Sequence, residues 1–352
     1  QVNEILELNR AADLGVRAVR YGSNGFSHLA LEPRVLIDFK LNSNHTLNFS
    51  FQQVNQYAHL VLTPGAILVN EIWIPSDQRI APGQSIQYSA GWMGRFYDGL
   101  FETEVNAYYK ELSNLSTYRE GYTNLLGDGN WRTKIESGGN GLSQGVEVLV
   151  RKTRGTWTGF ASYTRSETTR QFPGINQGQT FAYDYNRPHT ASLFVNRKLS
   201  AKWDFSATWV YQTGVPYTPV LGRHLDFEGS EVLLFGERNS AERSAYHRMD
   251  VALNYTKLNK KNRKVVWNFS IYNLYNRHNA SAYYYGTDSR QGVNDPYANT
   301  RYSQQKMYQV SMFPIIPTVS YKIFFDAEGR PAREKKEKTS FKQKFINYLQ
   351  YE

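Results

Sequence analysis

The chain has 352 residues, a formal net charge of +10 and no cysteine. The absence of cysteine excludes disulfides, cysteine-ligated zinc and thiol nucleophiles. No run of apolar residues approaches the roughly 18 that a transmembrane helix requires. The positive charge is dispersed, apart from a basic cluster at Arg333, Lys335, Lys336 and Lys338, so it predicts a solvated surface and no nucleic-acid partner.

From about Leu31 onward, stretches of near ten residues alternate between apolar and polar side chains. In the segment 101–110, for example, Phe101, Val105 and Ala107 interleave with Glu102 and Glu104. An alternation of period two predicts β-strands with one apolar face and one polar face. About twelve such strands follow Pro33, and one or two more are predicted near 16–21. Many aromatic residues in a chain that is polar on average are typical of a membrane β-barrel.

The connections between the predicted strands alternate between short and long. Short turns are predicted at 41–44, 95–99, 154–156, 199–202 and 259–263, and long connections at 58–83, 112–141, 167–186, 214–244 and 277–302. A final tight turn is predicted around 314–317. This pattern favours an antiparallel up-and-down transmembrane barrel, which has short turns at one end and long loops at the other. A soluble β-sandwich shows the same alternation, with its apolar faces turned inward.

The sequence divides into three parts. Residues 1–30 form an uncertain strand or loop region, and residues 31–325 form the barrel strands with their loops. The charged segment 326–352 lacks the alternation and is expected to be a periplasmic tail. We predict about 12–14 strands in all.

Several segments resemble the TonB-dependent receptors of Bacteroidetes. The longest are SYTRSETTRQFPGINQGQTF, from Ser162 to Phe181, and the stretch from Tyr183 to Pro219, which ends in the motif GVPYTP. Four shorter segments follow the order of the family: QSIQYSAG, EVNAYYK and GLSQGVE upstream, and IYNLYN downstream, before a closing SYKIFF. The resemblance covers the chain from about residue 31 to residue 325.

The resemblance implies an outer-membrane barrel of 22 strands with an N-terminal plug domain. It also implies energy supply from the TonB–ExbB–ExbD complex through an N-terminal part, contact with outer-membrane lipid and, in some members, a surface lipoprotein partner. No plug-like region is visible in this sequence, and thirteen or so strands are too few to close such a barrel. We therefore expect the chain to be the C-terminal part of a longer protein.

Two groups of residues are candidates for ligand binding. Polar positions that face the interior of the barrel would line the ligand path, and aromatic or cationic loop residues would contact a ring-bearing ligand. The first group is Glu104, Asn106, Glu147 and Arg165, and the second is Arg170, Phe172, Tyr283, Tyr284 and Tyr285.

The sequence predicts no catalytic, metal or cofactor site. The seven histidines show no metal-ligand spacing. The segment GGNGLSQG, from Gly138 to Gly145, leads into a strand rather than a helix, so we interpret it as a turn and not as a phosphate loop. Glu102, Glu104 and Glu147 could form a carboxylate cluster of the kind that glycosidases use, but solvated lumen residues are the favoured interpretation.

The predicted function is active uptake of a bulky ligand across the outer membrane. A passive porin, a scaffold barrel in a larger envelope complex and a soluble carbohydrate-binding β-sandwich stay as alternatives.

Overall fold

The computed structural model describes residues 9–23, 25–62, 71–121, 130–225, 227, 231–260, 263–287 and 305–325. One sheet contains thirteen of the described strands, and the two-residue strand Phe181–Ala182 only extends its edge at the end of another strand; the other twelve, paired in succession, we call the wall. They are β1 Asn9–Ser23, β2 Phe26–Lys40, β3 His45–Gln56, β6 Gly83–Phe96, β7 Phe101–Tyr118, β8 Ile135–Lys152, β9 Trp157–Gln171, β11 His189–Lys198, β12 Trp203–Gln212, β17 Tyr246–Leu258, β18 Lys264–Tyr272 and β21 Ile316–Ile323.

The remaining elements belong to the connections between wall strands. These strands are β4 Ala58–Leu62, β5 Glu71–Pro75, β10 Phe181–Ala182, β13 Pro216–Tyr217, β14 Val220–Leu225, β15 Glu231–Phe235, β16 Ala241–Glu242, β19 Ala280–Thr287 and β20 Gln305–Ser311. Two 3₁₀ turns cover Trp131–Lys134 and Asn176–Gly178. Neither described helix has the length or the hydropathy to cross a bilayer.

The wall confirms the predicted all-β, antiparallel architecture. Every wall strand pairs with the wall strand that precedes or follows it along the chain, and all pairs are antiparallel. The five short turns between β2 and β3, β6 and β7, β8 and β9, β11 and β12, and β17 and β18 therefore meet at one end. The long connections meet at the other end, as the sequence predicted.

The register gives the wall two faces of opposite polarity. Leu193 lies opposite Ala161 and Trp209, whereas the adjacent Ser192 lies opposite Ser162. Exposed apolar residues recur on the first face in nearly every strand: Leu14, Val16, Leu29, Leu31, Phe49, Tyr88, Tyr109, Val146, Val150, Tyr163, Leu193, Phe269, Val319 and Tyr321. We call this the apolar face and the other the polar face.

On the polar face, side-chain amides bridge neighbouring strands. Asn254 donates through Nδ2 to Oδ1 of Asp204 at 2.9 Å, and Asn268 donates through Nδ2 to Oδ1 of Asn254 at 2.7 Å. This chain of hydrogen bonds crosses three strands and satisfies polar groups that would be costly on an apolar surface.

The glycine-rich segment 138–145 is not the turn that the sequence suggested. It lies inside β8, where Gly139 pairs across to β7 and Gly141 lies opposite Arg170. A side chain at Gly139 would occupy the space of the Phe172 ring, and one at Gly141 would collide with the guanidinium of Arg170. The glycines are therefore needed because side chains from β9 and its connection fold over β8.

The predicted tight turn at 314–317 is also wrong. Residues 273–315 form a single long connection between β18 and β21, from which the β19–β20 hairpin projects. The alternating segment Gln305–Ser311 belongs to this hairpin and not to the wall, so residues 314–317 lie at the end of the long connections. The expected tail at 326–352 lies outside the described residues.

Most fully buried side chains lie in the long connections. One core contains Val61, Ile74, Ile80, Tyr118 and Ile135, with Ile72 and Trp131 packed against it. A second contains Phe172, Ile175 and Phe181, with Leu115 packed against it. We use the name loop assembly for the connections between β3 and β6, β7 and β8, β9 and β11, and β12 and β17. They pack together instead of extending separately into solvent.

The loop assembly allows a test of local stability. Ile74 is 2% exposed, while its neighbour Trp73 is 61% exposed on the opposite side of β5. We expect Ile74→Ala to lower the free energy of opening of the loop assembly by about 2–5 kcal/mol, because it leaves a cavity in the core. Hydrogen exchange should show faster exchange in the loops and unchanged exchange in the wall.

Trp73→Ala is the matched control and should leave loop exchange close to that of the unsubstituted protein. Equal effects of both substitutions would contradict a packed core at Ile74.

Candidate ligand-binding face and loop assembly

Three of the predicted lining residues share the polar face. Glu104 lies opposite Leu149 on β8, and Asn106 lies opposite Glu147. Asn106 also lies opposite Gly91 on β6, and a side chain at Gly91 would collide with the amide of Asn106. Glycine at this position lets polar side chains pack closely over the centre of the wall.

The carboxylates on this face are accompanied by cations near the short turns. Glu102 forms ion pairs with Arg95, at 3.7 Å between Nε and Oε1, and with Arg151, at 3.5 Å between Nη1 and Oε2. The register puts Glu102, Glu104 and Glu147 on one face, as expected from the sequence. Within the described ranges, no group of three side chains is arranged to hold a metal ion.

Arg165 does not share this face. It lies opposite Val146 and His189, whereas the adjacent Thr164 lies opposite Glu147. Its Nη1 contacts His189 Nε2 at 2.7 Å, and the Tyr163 hydroxyl contacts the other ring nitrogen at 2.7 Å. The grouping of Arg165 with the polar-face residues was wrong, because the polarity of a side chain does not set its register.

Arg170 and Phe172 belong to the loop assembly, but the structure gives them different surroundings. Phe172 is 2% exposed and packs with Ile175 and Phe181, so it supports the loops and is not the exposed ring that the sequence suggested. Arg170 lies on the polar face at the end of β9, with its guanidinium carbon 4.2 Å from the centroid of the Tyr183 ring.

The tyrosine triplet is divided between the two sides of the β19–β20 hairpin. The Tyr283 ring lies 5.6 Å from Tyr217, and its hydroxyl donates to Ser244 Oγ at 3.1 Å. Tyr284 stacks on Tyr308 across the hairpin, with ring centroids 5.2 Å apart. The side chain of Tyr285 lies outside the described set. Tyr283 and Tyr284 therefore do not form a common platform for one ligand.

A network around Arg238 joins three of the connections, and the sequence reasoning missed it. The guanidinium of Arg238 donates to the carbonyl of Tyr118 at 3.3 Å, and the backbone N–H of Arg238 donates to Asn176 Oδ1 at 2.7 Å. The backbone N–H of Asn176 donates to Glu120 at 2.8 Å. Burial lowers the pKa of Arg238, although the carboxylates of Asp184 and Glu120 act in the opposite direction. No spacing in the sequence indicates these long-range contacts.

Two titratable groups stabilise the connection between β3 and β6. Burial alone would raise the pKa of Asp77, but hydrogen bonds from Arg132 and from the backbone of Arg79 and Ile80 outweigh it and hold that pKa below its ordinary value. Burial lowers the pKa of His59, whose Nε2 lies 3.1 Å from Ser76 Oγ.

Comparison with known proteins identifies the family. A model described as "TonB dependent receptor-like, beta-barrel" matches residues 11–276. The chain belongs to the TonB-dependent receptors. The predicted family is thus confirmed, while the Bacteroidetes-type subgroup stays a prediction. None of the curated proteins matches the chain.

Solved outer-membrane receptors share the fold. The ferripyoverdine receptor of Pseudomonas aeruginosa matches with a TM-score of 0.52 and 14% identity, over 78% of this chain and 33% of that one. The siderophore receptor PiuA from Acinetobacter baumannii matches with a TM-score of 0.50 and 16% identity, over 77% and 37%. A structure of the FpvAI–pyocin S2 complex matches with a TM-score of 0.51 and 14% identity, over 78% and 34%. The chain thus spans little more than a third of the receptors it matches.

The two faces of the wall can be distinguished in a membrane by placing a charge on each of them. Leu193 is 44% exposed on the apolar face, and the adjacent Ser192 lies on the polar face. We expect Leu193→Arg to destabilise the folded receptor in lipid by about 2–4 kcal/mol, the cost of an arginine at the lipid face near the midplane. Equilibrium unfolding in phospholipid vesicles measures this difference.

Ser192→Arg introduces the same side chain one residue away and should cost clearly less. A larger cost at position 192 than at position 193 would reverse the assignment of the faces.

The pH dependence of the loop assembly follows from His59. Its folded-state pKa lies below the ordinary 6.5, so the opened state binds a proton at a higher pH than the closed state does. The stabilisation is present above pH 6.5 and is lost as the pH falls towards the folded-state value. We expect opening, measured by hydrogen exchange, to increase by at most about tenfold at about pH 5.5 relative to about pH 7.5.

His59→Gln removes the titrating group and should reduce this dependence. The same dependence in the variant would show that another group controls opening.

Proposed function

We propose that this chain forms part of a closed outer-membrane barrel that takes up a bulky ligand in a TonB-dependent manner. The observation that carries this proposal is the opposite polarity of the two wall faces, combined with long connections at one end only. An exposed apolar face matches contact with outer-membrane lipid, and a hydrogen-bonded polar face matches a solvated lumen.

Closure of the barrel requires further strands. In the described wall, β1 and β21 are the two edges, and each pairs with a wall strand on one side only. Unpaired backbone N–H and C=O groups of an edge strand cannot be left in the hydrocarbon region. We therefore propose that strands beyond those described here complete the barrel, together with the plug domain that the family resemblance implies.

The difference between the two ends of the wall supports one orientation of the barrel in the membrane. We assign the long connections to the cell exterior and the short turns to the periplasm, because membrane barrels have this asymmetry. The tail at 326–352 then follows β21 into the periplasm. Energy from the TonB–ExbB–ExbD complex would reach the receptor through an N-terminal part, and a surface lipoprotein partner would contact the exterior loops.

The ligand is proposed to pass along the polar face after capture at the loop assembly. Glu104, Asn106 and Glu147 share that face, and Arg170 lies on it next to the loops. One solved relative is bound to ferripyoverdine, and an iron siderophore is accordingly among the candidate ligands. We assign transport rather than catalysis because Glu102, the third carboxylate of the group, is held in two ion pairs.

The first experiment is a semi-native gel of the receptor extracted from outer membranes in mild detergent, together with its intact mass. We expect the unboiled protein to migrate faster than the boiled protein, because a closed barrel stays compact in detergent. We also expect a mass well above the 40.6 kDa of this chain. A soluble protein of 40.6 kDa without a mobility shift would favour the carbohydrate-binding sandwich and end the barrel proposal.

Liposome swelling separates gated uptake from a passive pore. The full-length receptor, reconstituted in vesicles without an energy source, should give no swelling in isotonic arabinose. Swelling at the rate of an open porin would favour the passive alternative, even if the gel confirms a barrel.

A further inference from the structure

A row of cations lies on the apolar face of the wall, next to the short turns. Lys152 is the last residue of β8, and Arg197 and Lys257 are the penultimate residues of β11 and β17. Each lies an even number of residues from apolar-face residues of its own strand, so its side chain belongs to that face. We call these three residues the basic belt.

Aromatic rings alternate with the cations of the basic belt. Lys152 Nζ lies 4.4 Å from the centroid of the Trp157 ring, whose side chain is 47% exposed. Arg197 lies directly opposite Trp157 on the next strand, so cations approach this indole from both neighbouring strands. Lys257 Nζ lies 5.8 Å from the centroid of the Tyr255 ring. Tryptophan and tyrosine at the ends of membrane strands mark the level of the lipid headgroups.

The carboxylates near the short turns face away from the basic belt. Asp38, Glu102 and Asp204 lie on the polar face, and Asp98 lies in the turn between β6 and β7. Among the ion pairs formed within the described part of the chain, none includes a member of the basic belt. The positive charge of the belt is therefore available to a partner outside the wall.

The adjacent turn holds Lys152 in position. Its Nζ donates to the carbonyl oxygen of Arg154 at 2.7 Å and to that of Trp157 at 2.9 Å. An ammonium group has a further N–H donor, which these two carbonyls do not use. Arg197 and Lys257 are exposed, and their long stems can lie along the apolar surface while the charged ends reach the headgroups.

The other end of the apolar face carries charges of both signs. Towards the long connections, Glu111 follows Tyr109 on that face, and Glu167 follows Arg165. A row of cations without carboxylates is thus a property of the short-turn end. A lipid that complements it has a headgroup with net negative charge.

We propose that the basic belt binds the phosphate groups of anionic phospholipids in the leaflet at the level of the short turns. Arginine binds phosphate through paired N–H donors, and lysine binds it as a point charge. In the orientation proposed above, this leaflet is the periplasmic one. The inference rests on the proposed function, because it requires the apolar face to contact lipid, and it adds the class of lipid and the residues that select it.

The experiment is a lipid titration of the delipidated full-length receptor in detergent, followed by native mass spectrometry. The probes are phosphatidylglycerol and phosphatidylcholine with the same acyl chains, of which only the first has a net charge. We expect phosphatidylglycerol to bind at least about tenfold more tightly. Arg197→Met/Lys257→Met should weaken its binding by at least about tenfold, since each cation at a lipid surface contributes about fivefold. The binding of phosphatidylcholine should not change.

Lys198→Met/Lys264→Met is the matched control. It removes two charges at the same end of the wall, but Lys198 lies opposite Asp204 and Lys264 opposite Leu258, on the polar face. This variant should bind phosphatidylglycerol as the unsubstituted receptor does. Lys152 is left in place in both variants because its hydrogen bonds hold the turn.

Inorganic phosphate in excess distinguishes a lipid site from a site for a free anion. It should not displace phosphatidylglycerol, because the acyl chains contribute to lipid binding and a free ion lacks them. Displacement would overturn the assignment to lipid.

Equal binding of the two lipids, or equal weakening by the two double variants, would also overturn the proposal. The gel mobility shift is recorded for each variant, and Arg197→Met alone provides the test if the double variant does not assemble. A receptor that shifts on the gel but does not discriminate between the lipids contradicts this inference alone. A receptor without a shift contradicts the barrel itself.

Discussion

The hydrogen-bond register of the wall is the constraint on which the rest of the structure depends. Side chains alternate between faces, so a slip of one residue in any pair would move that strand's apolar residues to the polar face. The pairing of Leu193 with Trp209 and of Ser192 with Val210 shows this register in one strand pair. Tight turns at one end maintain it, because backbone N–H groups of the turns donate to carbonyls of the strands that follow, as from Leu199 to Trp203.

The same register explains why the buried cores are in the connections. Wall residues face either the exposed apolar side or the polar side, so few of them are enclosed by protein. The connections can instead pack against one another, and their cores contain Tyr118 and Ile135 from the ends of β7 and β8. The paired ends of β7 and β8 thus contribute residues to a core of the loop assembly and connect it to the wall.

The periodicity of the sequence was sufficient to predict the wall, but it was insufficient to predict the structure of the loops. Alternation and connection length predicted the antiparallel wall because each is a local property of the chain. The strand Gln305–Ser311 lies between the predicted long connection 277–302 and the predicted turn 314–317, so it was expected in the wall. It pairs instead with β19, because a strand of a hairpin outside the wall has the same local pattern as a wall strand. Arg165 was placed on the wrong face because its polarity suggested a lumen position that its register excludes.

Other features depend on contacts that are distant in the chain. The glycines of β8 looked like a turn, but they are required by Phe172 and Arg170, which follow about thirty residues later. The Arg238 network joins residues more than a hundred positions apart. Neither has a signature of spacing or composition, because the fold brings together residues that are far apart in the sequence.

The glycine-rich part of β8 belongs to an irregular part of the wall. At Gly139 and Gly141 the regular alternation of β8 is interrupted by missing side chains, and opposite them β7 contains two shifts of register. Larger side chains at these two glycines would leave no space for the Phe172 ring and the Arg170 guanidinium. The irregularity therefore has a structural cost in lost cross-strand contacts, and it lets side chains of β9 and its connection pack over β8 where the wall meets the loop assembly.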